Sequence, residues 1–347
     1  MADKKQYLLE VQGLKQHFDV TDGWFPKKRA YLKAVNGINL TLKKGETLGI
    51  VGESGCGKST LGQMIVQLLR PTDGRILFEG KNLSNLTPQE FRKTRADIQM
   101  IFQDPYSSLN PRMRVFDIIA EPLRTHKSLQ KEELKATIQE LMETVGLNAD
   151  LMNRYPHQFS GGQRQRIAIA RALALKPKLI VCDEAVSALD VSIQAQILNL
   201  LRRLQKEYQL TYIFIGHGIP AVKYIASRIA VMYLGKIVEI GTKEQLITST
   251  KHPYTEILLS SVPISSPRNR KRNNRIVIHG EMPSPITPPN GCSFHNRCPY
   301  AEEICKKVTP ELMEYDHGHM IACHFPLSSK EGLAHGFTTA SVTSQSL

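Results

Sequence analysis

No stretch of this 347-residue chain limits its fold as much as Gly52-Glu53-Ser54-Gly55-Cys56-Gly57-Lys58-Ser59-Thr60. It fully matches the pattern Gly-x4-Gly-Lys-Ser/Thr, lying after an apolar strand-like run, 47–51, and before a segment able to form a helix. In that setting glycines let backbone N–H groups turn inward around phosphate oxygens, at the positive end of the helix. Lys58 is expected to reach the β- and γ-phosphates of a nucleotide, and the Ser59 hydroxyl to ligate Mg2+. A chance glycine-rich turn would account for the spacing but not for the strand and helix on either side.

The rest of the chain supplies the α/β frame that such a loop needs. Residues 8–18 read as a strand, and Ile38, Leu40 and Leu42 alternate with polar neighbours as in a half-buried strand. Leu134, Ile138, Leu141 and Val145 recur at helical spacing, and 90–160 is expected to be mostly helical. Residues 178–182 and 212–215 read as buried strands, while 229–233 and 236–240 flank Leu234-Gly235 as a hairpin. Strands alternating with helices predict an α/β core with a largely parallel sheet. The run Leu179-Ile180-Val181-Cys182-Asp183-Glu184 brings two carboxylates to the carboxyl end of a strand, where α/β folds bind ligands. Asp183 is expected in the Mg2+ shell and Glu184 beside the attacking water. Alone this is a common strand end; beside the 52–60 loop it reads as a phosphoryl-transfer site.

The composition, 41% hydrophobic and 22% charged, is that of an ordinary folded protein. The length allows one large domain with an appendage, or two modest domains. No run reaches the roughly 18 apolar residues of a membrane-spanning helix. Met1 to Lys5 leads toward a strand without a signal-peptide apolar core. The chain is therefore expected to stay in the cytosol and to meet a membrane only by docking. A net charge of +13 asks for an acidic partner. Part of it lies in Arg268, Arg270, Lys271, Arg272 and Arg275, a solvated basic linker or a headgroup-facing segment. No aromatic or helix-turn-helix pattern accompanies the charge, so nucleic acid is not an expected partner. Six cysteines in a cytosolic chain are not expected to pair. Cys56 and Cys182 lie in the nucleotide motifs, whereas Cys292, Cys298, Cys305 and Cys323 crowd the last quarter and point to a separate task there.

A second glycine-rich phosphate cradle stands about a hundred residues after the first. In Phe159-Ser160-Gly161-Gly162-Gln163, Ser160 can cap the basic helix that follows, and two glycines permit close backbone approach. With this run the sequence resembles the ABC family of ATPases, and that family's other motifs follow in order over about 8–260. Gln103 matches the loop glutamine that touches Mg2+ and the attacking water. Ser187-Ala188-Leu189-Asp190 resembles the loop that crosses to a partner cassette. His217 matches the histidine at the γ-phosphate, and Phe18, with Tyr31 as runner-up, is placed to stack on adenine. The resemblance implies a RecA-like core with a mixed sheet, an antiparallel β subdomain and a helical subdomain around 90–160. These would make up a nucleotide-binding domain of 1–260, followed by a small cysteine-rich extension, 261–347. It implies ATP hydrolysis through Glu184, His217 and Gln103, with Mg2+ held by Ser59, Gln103 and Asp183. Two cassettes would sandwich each ATP between the 52–60 loop of one and the 160–163 run of the other, so one cassette alone should be a poor ATPase.

Longer stretches resemble the F-type ATPase of the peptide-import branch: 102–112, Tyr155-Pro156-His157-Gln158-Phe159-Ser160, and His252-Pro253-Tyr254. The resemblance implies a homologous D-type ATPase partner, two membrane-spanning permease subunits and an extracytoplasmic peptide-binding protein. It puts the chain at the cytoplasmic face of the cell membrane and its cargo among oligopeptides or dipeptides, with nickel, metallophores or glutathione in related branches. Cys292-x5-Cys298-x6-Cys305-x17-Cys323 is too widely spaced for a zinc knuckle. Four thiolates suit a [4Fe–4S] cluster, which some relatives with a similar tail are thought to hold; zinc or plain buried thiols are the alternatives. His295, His317, His319 and His324 stand nearby as substitute ligands. Three positions depart from the pattern. Ala185 replaces a usual proline, and Gly216 and Gly218 flank His217 where serine and aspartate are common. Two glycines are expected to loosen the His217 backbone and slow hydrolysis. A ribosome-associated relative would carry two cassettes, and a DNA-repair ATPase a long insertion between the two glycine loops. A kinase or GTPase would lack Ser-Gly-Gly-Gln. An exporter would usually carry its own membrane helices, which leaves import favoured.

Overall fold

The computed structural model describes residues 7–21, 29–104, 106, 108–261 and 281–328. The basic run at 268–275 lies outside the described residues. The chain opens with β1 (Tyr7–Asp19) and β2 (Tyr31–Lys43), antiparallel, with Val11 opposite Leu40 and Leu14 opposite Ile38. Leu9, Val11, Leu14, Ile38, Leu40 and Leu42 are buried, the inward half of a period-2 pattern. The next strand, β3 (Thr47–Val51), is buried at every residue and ends in the 52–60 loop, which starts α1 (Lys58–Ile65). With β4 (Asp73–Phe78) and β5 (Lys81–Asn82) the chain returns to the first sheet, ordered β2-β1-β4-β5 and antiparallel throughout.

A helix capped by a Thr87–Glu90 box, α2 (Pro88–Asp97), leads to β6 (Ile98–Ile101). This strand lies inside the stretch expected to be mostly helical; a four-residue apolar run cannot be told from a buried helix by periodicity. Then come α3 (Val115–His126), α4 (Lys131–Thr144) and α5 (Gly161–Leu173), packed through Ile118, Ile119, Leu123, Ile138, Met142 and Ile167. The arginines of α5 are not a solvated stripe. Arg164 Nε donates to the Pro156 carbonyl and Arg171 Nη1 to that of Ser108, each at 2.8 Å. They bind the helix to the turns before it.

The remaining elements build the large sheet: β7 (Leu179–Asp183), α6 (Val191–Tyr208), β8 (Thr211–Ile215), α7 (Ile219–Ile225), β9 (Arg228–Tyr233) and β10 (Lys236–Thr242). Two short helices, α8 (Lys243–Thr248) and α9 (Pro253–Ser260), come next. The C-terminal region contributes α10 (Glu303–Lys307), β11 (Met313–Asp316) and β12 (His319–Ile321). The sheet order is β11-β12-β10-β9-β3-β8-β7-β6. Neighbours from β9 to β6 run parallel, and β10, β12 and β11 are added antiparallel. The β9–β10 hairpin turns at Leu234 and Gly235, with φ +42° and +76°, the backbone that matches the strand twist. Every residue of β3, β7 and β8 is buried, as in a parallel sheet covered on both faces. This topology carries the carboxyl ends of β3, β6, β7 and β8 to one edge, where the 52–60 loop, Gln103, Glu184 and His217 emerge.

Candidate nucleotide site

The 52–60 loop closes on its own lysine. Lys58 Nζ donates to the carbonyl oxygens of Gly52 and Glu53, each at 2.9 Å, from a buried side chain. Two glycines are required by close approach. A Cβ on Gly57, whose φ is +102°, would meet Ala34 O at 1.9 Å, and one on Gly52 would meet Met232 O at 2.2 Å. Thus β2 and β9 wall the loop. Cys56 is buried in it, which pushes its thiol up, while Ser54 and Gly55 are exposed and Thr60 is half-buried. The Ser59 hydroxyl donates to Asp183 Oδ1 at 2.9 Å. Burial raises the Asp183 carboxyl, opposed by the Ser59 hydrogen bond and abetted by the charge of Glu184. A hydroxyl and a carboxylate so placed are the hard oxygen donors that Mg2+ takes, so these residues fit that ion.

Glu184 leaves β7 with φ +47°, a left-handed backbone that costs a non-glycine residue energy. Its N–H donates to Ile215 O, and the Ser187 hydroxyl donates to its carbonyl, both at 2.9 Å. These bonds hold the turn. Glu184 Oε2 accepts from Gln103 Nε2 at 2.8 Å and lies 3.4 Å from His217 Nδ1. Three residues expected in one reaction thus meet at one carboxylate oxygen. Gly216 N–H donates to Ile50 O at 3.0 Å, fixing the chain just before His217. A Cβ on Gly216 would sit 3.1 Å from Val222 Cγ2, whereas one on Gly218 would meet nothing within 4 Å. Ala185 is buried. Phe18 and Tyr31 stand at the same end of the β1–β2 ribbon, Tyr31 opposite Asp19, and each is a little over one third exposed.

Ser160 caps α5 in a reciprocal box: its hydroxyl accepts from Gln163 N–H at 3.4 Å, and Gln163 Oε1 accepts from Ser160 N–H at 3.0 Å. Gly162 has a reason within its own chain, because a Cβ there would meet Ile193 Cγ2 at 2.5 Å. Gly161 faces Leu189, whose carbonyl accepts from Gln194 Nε2 at 2.8 Å. Asp190 stands at the N-cap of α6, and Ala188, between it and Ser187, is exposed. The 160–163 run and the 187–190 loop are therefore packed on each other.

An ABC transporter family model matches residues 35–187, and a model of the oligopeptide/dipeptide transporter C-terminal region matches 238–305. The oligopeptide transport ATP-binding protein AppF of Bacillus subtilis is 52% identical over 324 residues, 93% of this chain and 98% of that one. The oligopeptide transport ATP-binding protein OppF of Escherichia coli is 52% identical over 326 residues, 93% and 97% of the two chains. The chain belongs to the ABC transporter ATP-binding family, in its oligopeptide/dipeptide branch. Its fold is the ABC ATPase cassette. The dimeric post-hydrolysis structure of the ATP-binding cassette MJ0796 bound to ADP and Pi overlays with a TM-score of 0.59 at 28% identity, covering 68% of this chain and 98% of that one.

In this ABC ATPase the C-terminal region reaches the phosphate loop, which sequence reasoning missed. Glu53 N–H donates to Tyr254 Oη at 2.9 Å, and Glu53 Oε2 accepts from Arg297 Nη1 at 3.0 Å. The motif reading stopped at the loop, and only the quoted His252-Pro253-Tyr254 stretch pointed toward these contacts. Behind them lies a buried hub. Glu239, fully buried in β10, accepts from Thr250 Oγ1, Lys251 N–H and His252 N–H at 2.9, 2.7 and 3.1 Å, and meets His319 Nε2 at 2.7 Å. His319, read as a substitute metal ligand, is thus committed to a carboxylate. The other three histidines also have partners: Cys292 O for His295, Val308 O for His324 and Asp316 for the exposed His317.

Cys292, Cys298, Cys305 and Cys323 line one small pocket with Phe294, His295 and His324, and all are unpaired thiols. Burial pushes Cys298 up to about 11 and Cys323 up to about 12, and neighbouring thiols add to both shifts. Among the described residues no three His, Cys, Asp or Glu side chains converge tightly enough to hold a metal ion. The four thiols share a pocket without forming a closed ligand set. Among the described residues no helix is long and apolar enough to cross a membrane.

Proposed function

We propose that this ABC ATPase energises the uptake of oligopeptides or dipeptides, working at the cytoplasmic face of the cell membrane as a peripheral subunit. The observation that carries this reading is the likeness to AppF and OppF across both the cassette and the C-terminal region. Its partners are a second, homologous D-type cassette, two permease subunits and an extracytoplasmic peptide-binding protein.

The chemistry rests on positioning and charge. The 52–60 loop cradles the phosphates, and Lys58 exchanges its two carbonyl partners for phosphate oxygens. Mg2+, when bound, would be held by Ser59, Asp183 and Gln103 and would draw charge from the transferring phosphate. Glu184 orients and polarises the attacking water, Gln103 touches that water and Mg2+, His217 contacts the γ-phosphate, and Phe18 or Tyr31 stacks on adenine. Residues Ser160, Gly161, Gly162 and Gln163 grip the ATP of the partner cassette, with the 187–190 loop alongside. The cysteine pocket is where a [4Fe–4S] cluster, or zinc, would sit. Its donor type supports that reading, and closing the ligand set requires the thiols to move together. Iron and sulfide analysis of anaerobically purified protein separates the two; zinc alone would dismiss the cluster.

Reconstitution of the four-subunit complex with its binding protein tests the whole reading. Peptides should stimulate ATP hydrolysis severalfold. Stimulation by nickel, a metallophore or glutathione, and none by peptides, would move the chain to that cargo.

A further inference from the structure

Glu53 is held at three atoms. Its carbonyl accepts from Lys58 Nζ, its N–H donates to Tyr254 Oη, and its carboxylate accepts from Arg297 Nη1. The last two partners lie beyond the cassette's phosphate motifs. The Arg297 side chain is 7% exposed and that of Glu53 25%. The same Nη1 lies 3.3 Å from Tyr233 Oη at the end of β9, and the guanidinium stands 5.9 Å from the Tyr233 ring. Tyr233, Tyr254 and Phe294 pack with ring centroids 4.7 to 5.3 Å apart, a rigid base for the contact. Arg297 ends a turn between Cys292 and Cys298, its N–H donating to Phe294 O. The ion pair is single rather than forked: Glu53 Oε1 and Arg297 Nε, both buried, have no hydrogen-bond partner.

A carboxylate in a loop that must receive a polyanion is a liability unless a cation holds it. We infer that Arg297 is a positioning residue for the phosphate loop, tethering and neutralising Glu53 so that Lys58 and the loop are set for ATP. ATP affinity then depends on the C-terminal region. This rests on the reading that the 52–60 loop holds the phosphates.

The test uses the full chain for ATP dissociation constants and the complete complex for turnover. Arg297→Gln should raise the ATP Kd and KM about tenfold, while kcat at saturating ATP falls less than twofold. Adding Glu53→Gln should recover most of the lost affinity, because the untethered charge is gone. Should Arg297→Gln loosen the β11–β12 region in hydrogen exchange, Tyr254→Phe removes only the hydroxyl that takes the Glu53 N–H and should still raise Kd a few-fold. A Kd within twofold of wild type for Arg297→Gln and Tyr254→Phe, or a double variant as weak as the single one, would overturn the inference. Lys58→Ala separates the two readings: if it too leaves ATP affinity intact, the phosphate loop itself has been misassigned.

Discussion

The large sheet carries two glutamate–histidine pairs, and they differ in almost everything but chemistry. Glu184 and His217 approach to 3.4 Å with 13% and 59% of their side chains exposed. Glu239 and His319 approach to 2.7 Å with 0% and 3% exposed. The first glutamate sits on a left-handed backbone at a strand end and shares one oxygen between a glutamine and a histidine. The second accepts from two backbone N–H groups and a hydroxyl besides its histidine. Spare hydrogen-bonding capacity and access to solvent let a carboxylate act on water. Full satisfaction in the interior leaves it nothing to do but hold elements together.

The sharpest way to break this contrast is Glu184→Gln in the assembled complex. Turnover should fall by about 10²- to 10⁴-fold with ATP binding retained and the closed pair stalled; wild-type turnover would show that another group is the base. Glu239→Ala should act on stability instead, leaving His319 and the 251 and 252 N–H groups buried without their acceptor. A loss of about 3 kcal/mol is expected in chemical denaturation, with early exchange of 313–321 amides. Unaltered stability would dissolve the idea of a locked hub.

Acid should find the same hub. Burial lowers His252 to about 4, and its Nδ1 accepts from Tyr254 N–H, as a neutral ring must. An unfolded histidine titrates near 6.5, so between pH 6.5 and 4 the unfolded chain binds the extra proton. Stability is therefore full above about pH 6.5 and declines by roughly 3 kcal/mol toward pH 4. Unfolding curves of His252→Asn should lose most of the slope that this histidine contributes across that window, and a slope equal to wild type would locate the titrating group elsewhere. For Glu239, burial works to raise the carboxyl, but the bonds from His319 and Lys251 outweigh it; its contribution is lost only at lower pH. The smallest effect is expected at the open pair. Gly216→Ser with Gly218→Asp should raise turnover about twofold, through a stiffer backbone and a cap worth a few tenths of a kcal/mol on α7. Equal rates in steady-state assays would free the glycines of any cost.

How much of this was legible in the sequence follows from the range of each interaction. The phosphate loop is set by consecutive residues, so its glycines, Lys58 and the flanking strand could be read directly. The capping box at Ser160 and Gln163 was legible for the same reason. The meeting of Gln103, Glu184 and His217 needed the family resemblance, since 81 residues separate the first two. Gly162 was read as room for a phosphate, but its local neighbour is Ile193, on a helix whose packing no pattern foretold. Glu239 was opaque: a charged residue amid Ile237, Val238 and Ile240 gives no sign that its partners arrive from 250–252 and 319. Arg297 and Tyr254 were hidden likewise, because nothing local to a cysteine-rich segment says which loop it will touch.

Strands β11 and β12 complete the sheet on the free edge of β10. The residues that join there, Glu239 and His319, are 80 apart in the chain. At a synthesis rate of about 5–20 residues per second, the cassette would wait several seconds with the outer edge of a largely apolar strand unpaired. During that interval β10 is open to any passing strand. The ribosome thus releases a nearly finished nucleotide fold whose last seam is sewn only when the cysteine-rich region emerges.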